Sequence, residues 1–114
     1  MTNDIVYINI EEGSKRVMNN TGLYAKLLTK FKNDTNIQNI DESMAAGDLE
    51  KAQVAVHTLK GIAANLSLTE LFRQTLELEI QIKGKSVKPE QLTTVKSVYK
   101  ETLTEIDKVI AQYA

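Results

Sequence analysis

Cysteine is absent, so a disulfide framework, a thiolate zinc site and a thiol nucleophile are all excluded. Tryptophan is absent too, proline occurs once, phenylalanine twice and glycine five times. So few turn formers and aromatic residues argue against a strand-rich sandwich. The single histidine, His57, leaves a zinc site dependent on carboxylates. Neither sign of charge dominates: 14 Lys plus Arg oppose 15 Asp plus Glu, for a formal net charge of -1. That balance is too neutral for a general nucleic-acid footprint and not acidic enough for a solvating tail. No apolar run approaches the roughly 18 residues a membrane span needs, and the opening MTNDIVY lacks a basic signal-peptide region.

What is present is an ordinary globular balance, 42% apolar and 25% charged over 114 residues, enough for one domain with one core. A soluble, cytoplasmic, monomeric single domain spanning 1–114 is the expectation, without nucleic acid or membrane insertion. Repeats, low-complexity tracts and linkers are not evident.

The apolar residues recur at helical spacing. The first seven residues read as extended or frayed. Asn9 with Glu12 forms a capping-box start for a short helix to about Met18. A second helix follows Asn20 or Thr21, with Leu23, Leu27, Leu28 and Phe31 on one face. A third runs from about Thr35 to Ala46 on Ile37, Ile40 and Met44, stopping at Gly47 as a left-handed cap. Asp48 then caps a fourth, whose stripe is Leu49, Ala52, Val56, Leu59, Ala63 and Leu66. Ser67 and Glu70 read as a capping box opening a fifth helix, with the stripe Leu68, Leu71, Thr75, Leu78 and Ile82, ending near Gly84. Pro89 suits the first turn of a last helix on Leu92, Val95, Tyr99, Thr102, Ile106, Val109 and Tyr113. The expected fold is all-α: an antiparallel four-helix bundle with a short additional N-terminal helix or helices.

His57 lies roughly 130° from the centre of its helix's core stripe. It belongs to a second face made of Gln53, His57, Lys60, Gly61 and Ala64. A neutral imidazole nitrogen can accept a phosphoryl group, and Lys60 one turn on can put an ammonium beside the added charge. Gly61 in mid-helix costs roughly 1 kcal/mol relative to Ala, which suggests that something must approach the backbone there. Ala64 keeps the same surface low. In the hairpin of helices four and five, 57 and 79 are equidistant from the turn near residue 68, so Glu79 is level with His57. Its carboxylate can accept from Nδ1–H, fixing the tautomer and leaving Nε2 as the nucleophile. A solvated rim Glu pairing with Lys83 is an equally good reading of the spacing.

The segment Val56-His57-Thr58-Leu59-Lys60-Gly61-Ile62-Ala63-Ala64-Asn65-Leu66-Ser67 resembles the signature of histidine-containing phosphotransfer (HPt) domains of two-component phosphorelays. His57, Leu59, Lys60 and Gly61 stand in register. Ile62 replaces a common small residue, and Ser67 replaces the usual turn Gly. Length, helix order, the Gly47-Asp48 break and the Leu78-Glu79 pair are similar as well. The resemblance implies a phosphocarrier rather than an enzyme, with no ATP site of its own. His57 would take a phosphoryl group from a receiver-domain phospho-aspartate and pass it to another receiver. Lys60 would stabilise the phosphate charge, and Gln53, Lys60, Gly61 and Ala64 would line the receiver interface. The implied partners are response-regulator receiver domains and a sensor or hybrid histidine kinase. No cofactor of its own is implied, with Mg²⁺ expected on the receiver.

Competing readings are a helical adaptor without chemistry and a P1-type phosphotransfer domain phosphorylated directly by a kinase. The Met start and the end after the last helix, with no kinase attached, favour a free-standing carrier. A carboxylate-bridged metal enzyme is remote, because the Glu-x-x-His pairing it expects finds Val54 three residues before His57.

Overall fold

The computed structural model describes residues 5–113. These residues form six helices: α1 (Ile10–Lys15), α2 (Thr21–Phe31), α3 (Asn36–Ala45), α4 (Leu49–Asn65), α5 (Thr69–Lys83) and α6 (Pro89–Tyr113). No strand occurs among the described residues. Three helix starts follow from short polar side chains. Asn9, Asn20 and Asp48 accept the backbone N–H of Glu12, Leu23 and Lys51, satisfying donors that a first turn cannot pair internally. Gly47 closes α3 with φ +73°, and Pro89 is the first residue of α6.

Short connections make the neighbours antiparallel. α4 and α5 form a hairpin, and α6 returns along α5, where the Gln91 amide donates to the Gln74 carbonyl. α2 runs against α6 from its middle toward its C-terminal end, joined by the Phe31 and Tyr99 rings, whose centroids are 5.6 Å apart, and by Lys32 to Asp107. α3 continues toward the first half of α6, where Lys96 reaches Asp41, and packs on α4. The consecutive pair α2 and α3 thus supplies one wall of an antiparallel bundle, with α4, α5 and α6 as the others. The short α1 lies outside it against α2.

The stripes point inward. Leu28, Ile40, Val56, Leu59, Leu71, Leu78, Val95 and Ile106 are fully buried. Each contributes roughly 1.5–3 kcal/mol relative to exposure. Thr75 and Thr102 join the stripes because their hydroxyls donate to the Leu71 and Val98 carbonyls one turn back.

Four expectations need correction or limits. The first helix ends at Lys15 rather than near Met18, because Met18 and Asn19 both adopt left-handed backbone angles and reverse the chain. On α2, Leu23 is exposed, and the buried face is Tyr24, Ala25, Leu28 and Phe31. The helix turns that way because the Tyr24 ring packs over Gly13, where any Cβ would clash, and its hydroxyl donates to the Leu66 carbonyl. Ser67 is no capping residue: Leu68 holds that position, and Ser67 sits at φ +57°. There its N–H meets the Ala64 carbonyl while Leu68 N–H meets that of Ala63, the left-handed closure of α4 that favours glycine. Glu70 pairs instead with Arg73 and Gln74. Of the opening segment, residues 1–4 lie outside the described residues. The stretch 5–9 is non-helical but pinned, since Thr69 donates to the Val6 carbonyl and Asn9 N–H to that of Ser67.

Candidate functional site: a buried carboxylate beneath an exposed imidazole

The two faces of α4 differ sharply because its stripe is so regular. Ala52, Val56, Leu59 and Ala63 fill the core, which turns His57 outward with 68% of its side chain exposed. Gln53, Lys60 and Ala64 are half-buried on the same side, and Gly61 is exposed. Among the described residues, a Cβ built on Gly61 meets no atom within 4 Å beyond its chain neighbours and the surrounding backbone of its own helix. Nothing inside the fold therefore requires glycine there.

α5 supplies the other half. Glu79 lies level with His57 and is buried, with only 3% of its side chain exposed. Its Oε2 is 2.9 Å from His57 Nδ1, and its Oε1 accepts from Lys60 Nζ at 2.5 Å. Lys83 Nζ stands 3.8 Å from Oε2. Burial acts to raise the Glu79 carboxyl, but the hydrogen bonds from Lys60 and His57 and the charges of Lys60 and Lys83 outweigh it. The group is held below its ordinary value of 4.5 and is ionised at neutral pH. An ionised carboxylate only accepts, so Nδ1 carries the proton. In the neutral ring the lone pair is then on Nε2, which has no hydrogen-bond partner among the described residues.

The structure thus brings together His57, Lys60 and Glu79, with Gln53 beside them in a groove also lined by Val54, Thr58 and Lys83. Gly61 and Ala64 continue the same surface of α4 away from that groove. Three apolar side chains that sequence reasoning missed, Val54 on α4 and Leu76 and Ile80 on α5, are exposed on the same two helices. Their signal was legible: each is a large apolar residue that falls off its helix's stripe. Lys83 was noted only as a neighbour of Glu79, although 53 and 83 are equidistant from the turn at 68, which puts it level with Gln53.

The bundle thus presents an unencumbered imidazole nitrogen, its ring held from behind by a buried carboxylate, a geometry suited to nucleophilic attack. Residues 27–112 match the family model for the Hpt domain, and the chain belongs to that family. Its role is accordingly histidine phosphotransfer in two-component signalling, among proteins whose partners are receiver domains and kinases. Comparisons with curated proteins and with solved structures gave no match. No helix among the described residues is long and apolar enough to cross a membrane.

Proposed function

We propose that this protein is a phosphocarrier in a multistep phosphorelay, taking a phosphoryl group onto His57 from one receiver domain and giving it to another. The observation that carries this reading is the bond of His57 Nδ1 to Glu79, which leaves Nε2 as the free nucleophile. In the forward step the Nε2 lone pair attacks phosphorus and an N–P bond forms. The P–O bond to the receiver aspartyl group breaks, its electron pair returning to the carboxylate. Since Nδ1 keeps its proton, the ring becomes a phosphoimidazolium cation, and the Glu79 carboxylate offsets that charge. The second transfer reverses these bonds on another receiver.

Lys60 adds a positive charge near the phosphoryl group while bonded to Glu79. Gln53, Lys60, Gly61 and Ala64 form the receiver-facing surface, where the bare backbone at Gly61 allows close approach. The Mg²⁺ belongs to the receiver, and the carrier needs neither a cofactor nor an ATP site. It works in the cytoplasm, as a monomer.

The test is phosphoryl transfer from a panel of phosphorylated receivers of the same source, followed by intact mass for wild type and His57→Gln. One acid-labile phosphate on wild type alone is the expected result. Labelling only by a histidine kinase would make it a direct kinase substrate. Silence from every donor, with the protein folded, would favour a non-catalytic adaptor.

A further inference from the structure

Two ammonium groups share one carboxylate beside His57, and they are not equivalent. Lys60 Nζ is 2.5 Å from Glu79 Oε1, and its side chain is only 20% exposed. Lys83 Nζ is 3.8 Å from Oε2, beyond hydrogen-bonding distance, and its side chain is 57% exposed. Glu79 carries one negative charge against these two positive ones, so one cation is in surplus. The distances identify it as Lys83.

Lys83 is also the cation that lines the groove beside the ring, together with Gln53, Val54, His57, Thr58 and Glu79. Its Cα lies level with Gln53, one turn before His57, so the displacement along the helix axis is about 6 Å. A four-carbon stem spans much of that. For Lys60 to reach the phosphoryl group it would have to leave Glu79 and strip a buried carboxylate of its main partner. Lys83 has no comparable bond to give up.

We infer that Lys83 is the ammonium that pairs directly with the phosphoryl group on His57 Nε2, while Lys60 stays on Glu79 as a positioning residue. The inference rests on the phosphocarrier reading and deepens it. Before phosphorylation Lys60, Lys83 and Glu79 sum to one positive charge. A phosphoryl group close to two negative charges on a ring that has become a cation brings the cluster to about zero, and Lys83 turns from Glu79 toward the new anion.

The experiment uses the full chain and phosphoramidate as a small donor. The Nε2 lone pair displaces ammonia from phosphorus, so one N–P bond forms as another breaks. The phosphoryl ionisation is followed by ³¹P NMR titration. The charged groups paired beside His57 among the described residues are Lys60 on α4 and Glu79 and Lys83 on α5. Lys83→Gln is expected to raise the midpoint by about half a unit, the effect of one nearby cation in a well-solvated setting. Lys83→Arg should restore it. Lys60→Gln should shift the midpoint less, yet disturb the imidazole ¹⁵N signals through Glu79. A midpoint unchanged in Lys83→Gln, with a large shift in Lys60→Gln, would overturn the assignment. Failure of the wild type to gain an acid-labile phosphate from phosphoramidate or any receiver would instead remove the phosphocarrier reading, and the assignment with it.

Discussion

Replacing Glu79 by Ala removes the acceptor of His57 Nδ1–H and the partner of Lys60 in one step. A hydrogen bond to a charged group contributes roughly 1.5–3 kcal/mol. The ring is 68% exposed, so water competes and about 1 kcal/mol is the reasonable share for the imidazole. That corresponds to roughly a fivefold change in the ratio of the two neutral tautomers, away from the one with its lone pair on Nε2. The phosphorylated ring is a full cation, so the carboxylate matters more as the N–P bond forms. A roughly tenfold slower phosphoryl acceptance, about 1.4 kcal/mol in the barrier, is expected. Rapid-quench transfer from a phosphorylated receiver measures the rate, and imidazole ¹⁵N shifts report the tautomer. Lys60 loses its partner but is close enough to the surface to reach water, so the fold should persist. A folded Glu79→Ala protein with the wild-type tautomer and the wild-type rate would refute the argument that Glu79 aims Nε2.

Gly61→Ala should stabilise the protein by about 0.5–1 kcal/mol in urea unfolding, because the new Cβ meets nothing and helix propensity improves. Gly61→Leu should accept phosphate from phosphoramidate as wild type does but slowly from receivers, and equal rates from both would defeat the close-approach argument. Acid sensitivity should trace in part to Glu79, whose folded value lies below 4.5. Its pairing stabilises the fold fully above that ordinary value and is lost as pH falls through the depressed one, so melting midpoints of Glu79→Gln should fall less steeply in acid than those of wild type. Glu70, lowered chiefly by its hydrogen bond from Arg73, contributes in the same direction and should be unaffected by that change. At Ser67, the Ala variant should be less stable than the Gly variant by about 1 kcal/mol: both lose the bonds to Glu12 and Arg16, but only Gly relaxes the left-handed backbone. The opposite order in urea unfolding would contradict the strain argument.

The α4 stripe, the level pairing of His57 with Glu79 and the Gly47-Asp48 break were legible because each depends on local periodicity or on a symmetric count about one turn. The burial of Glu79 was only half visible. Glu79 stands next to the stripe residue Leu78, which suggests partial shielding, whereas its contact with Lys60 needs two helices in place. The orientation of α2 was not legible. Leu23 and Tyr24 are both suitable core residues, and the choice is made by Gly13, eleven positions earlier, and by the Leu66 carbonyl, over forty later. Ser67 misled for a related reason. Ser with Glu three residues on is a sound capping pattern, but the requirement to close α4 through a left-handed residue is met first, and Leu68 takes the cap. The exposed apolar residues Val54, Leu76 and Ile80 were readable as exceptions to their stripes, yet exceptions acquire meaning only once their neighbours are known.

The carbonyls at the end of the histidine-bearing helix have a consequence for where the family match begins. Asn65 is capped by Arg16, Leu66 by Tyr24 and Ser67 by the Asn9 N–H. All three donors precede Leu27, the first residue of the match. A truncated protein starting at Leu27 would keep every residue of the signature and all of α4, α5 and α6. It would nevertheless leave three carbonyls without their partners, strand Ser67 in a left-handed conformation with no hydroxyl contacts, and open the space that Tyr24 fills. The stretch that carries the family resemblance is therefore shorter than the piece that can stand as a folded unit, and any minimal version intended for transplantation into another protein has to begin upstream of Asn9.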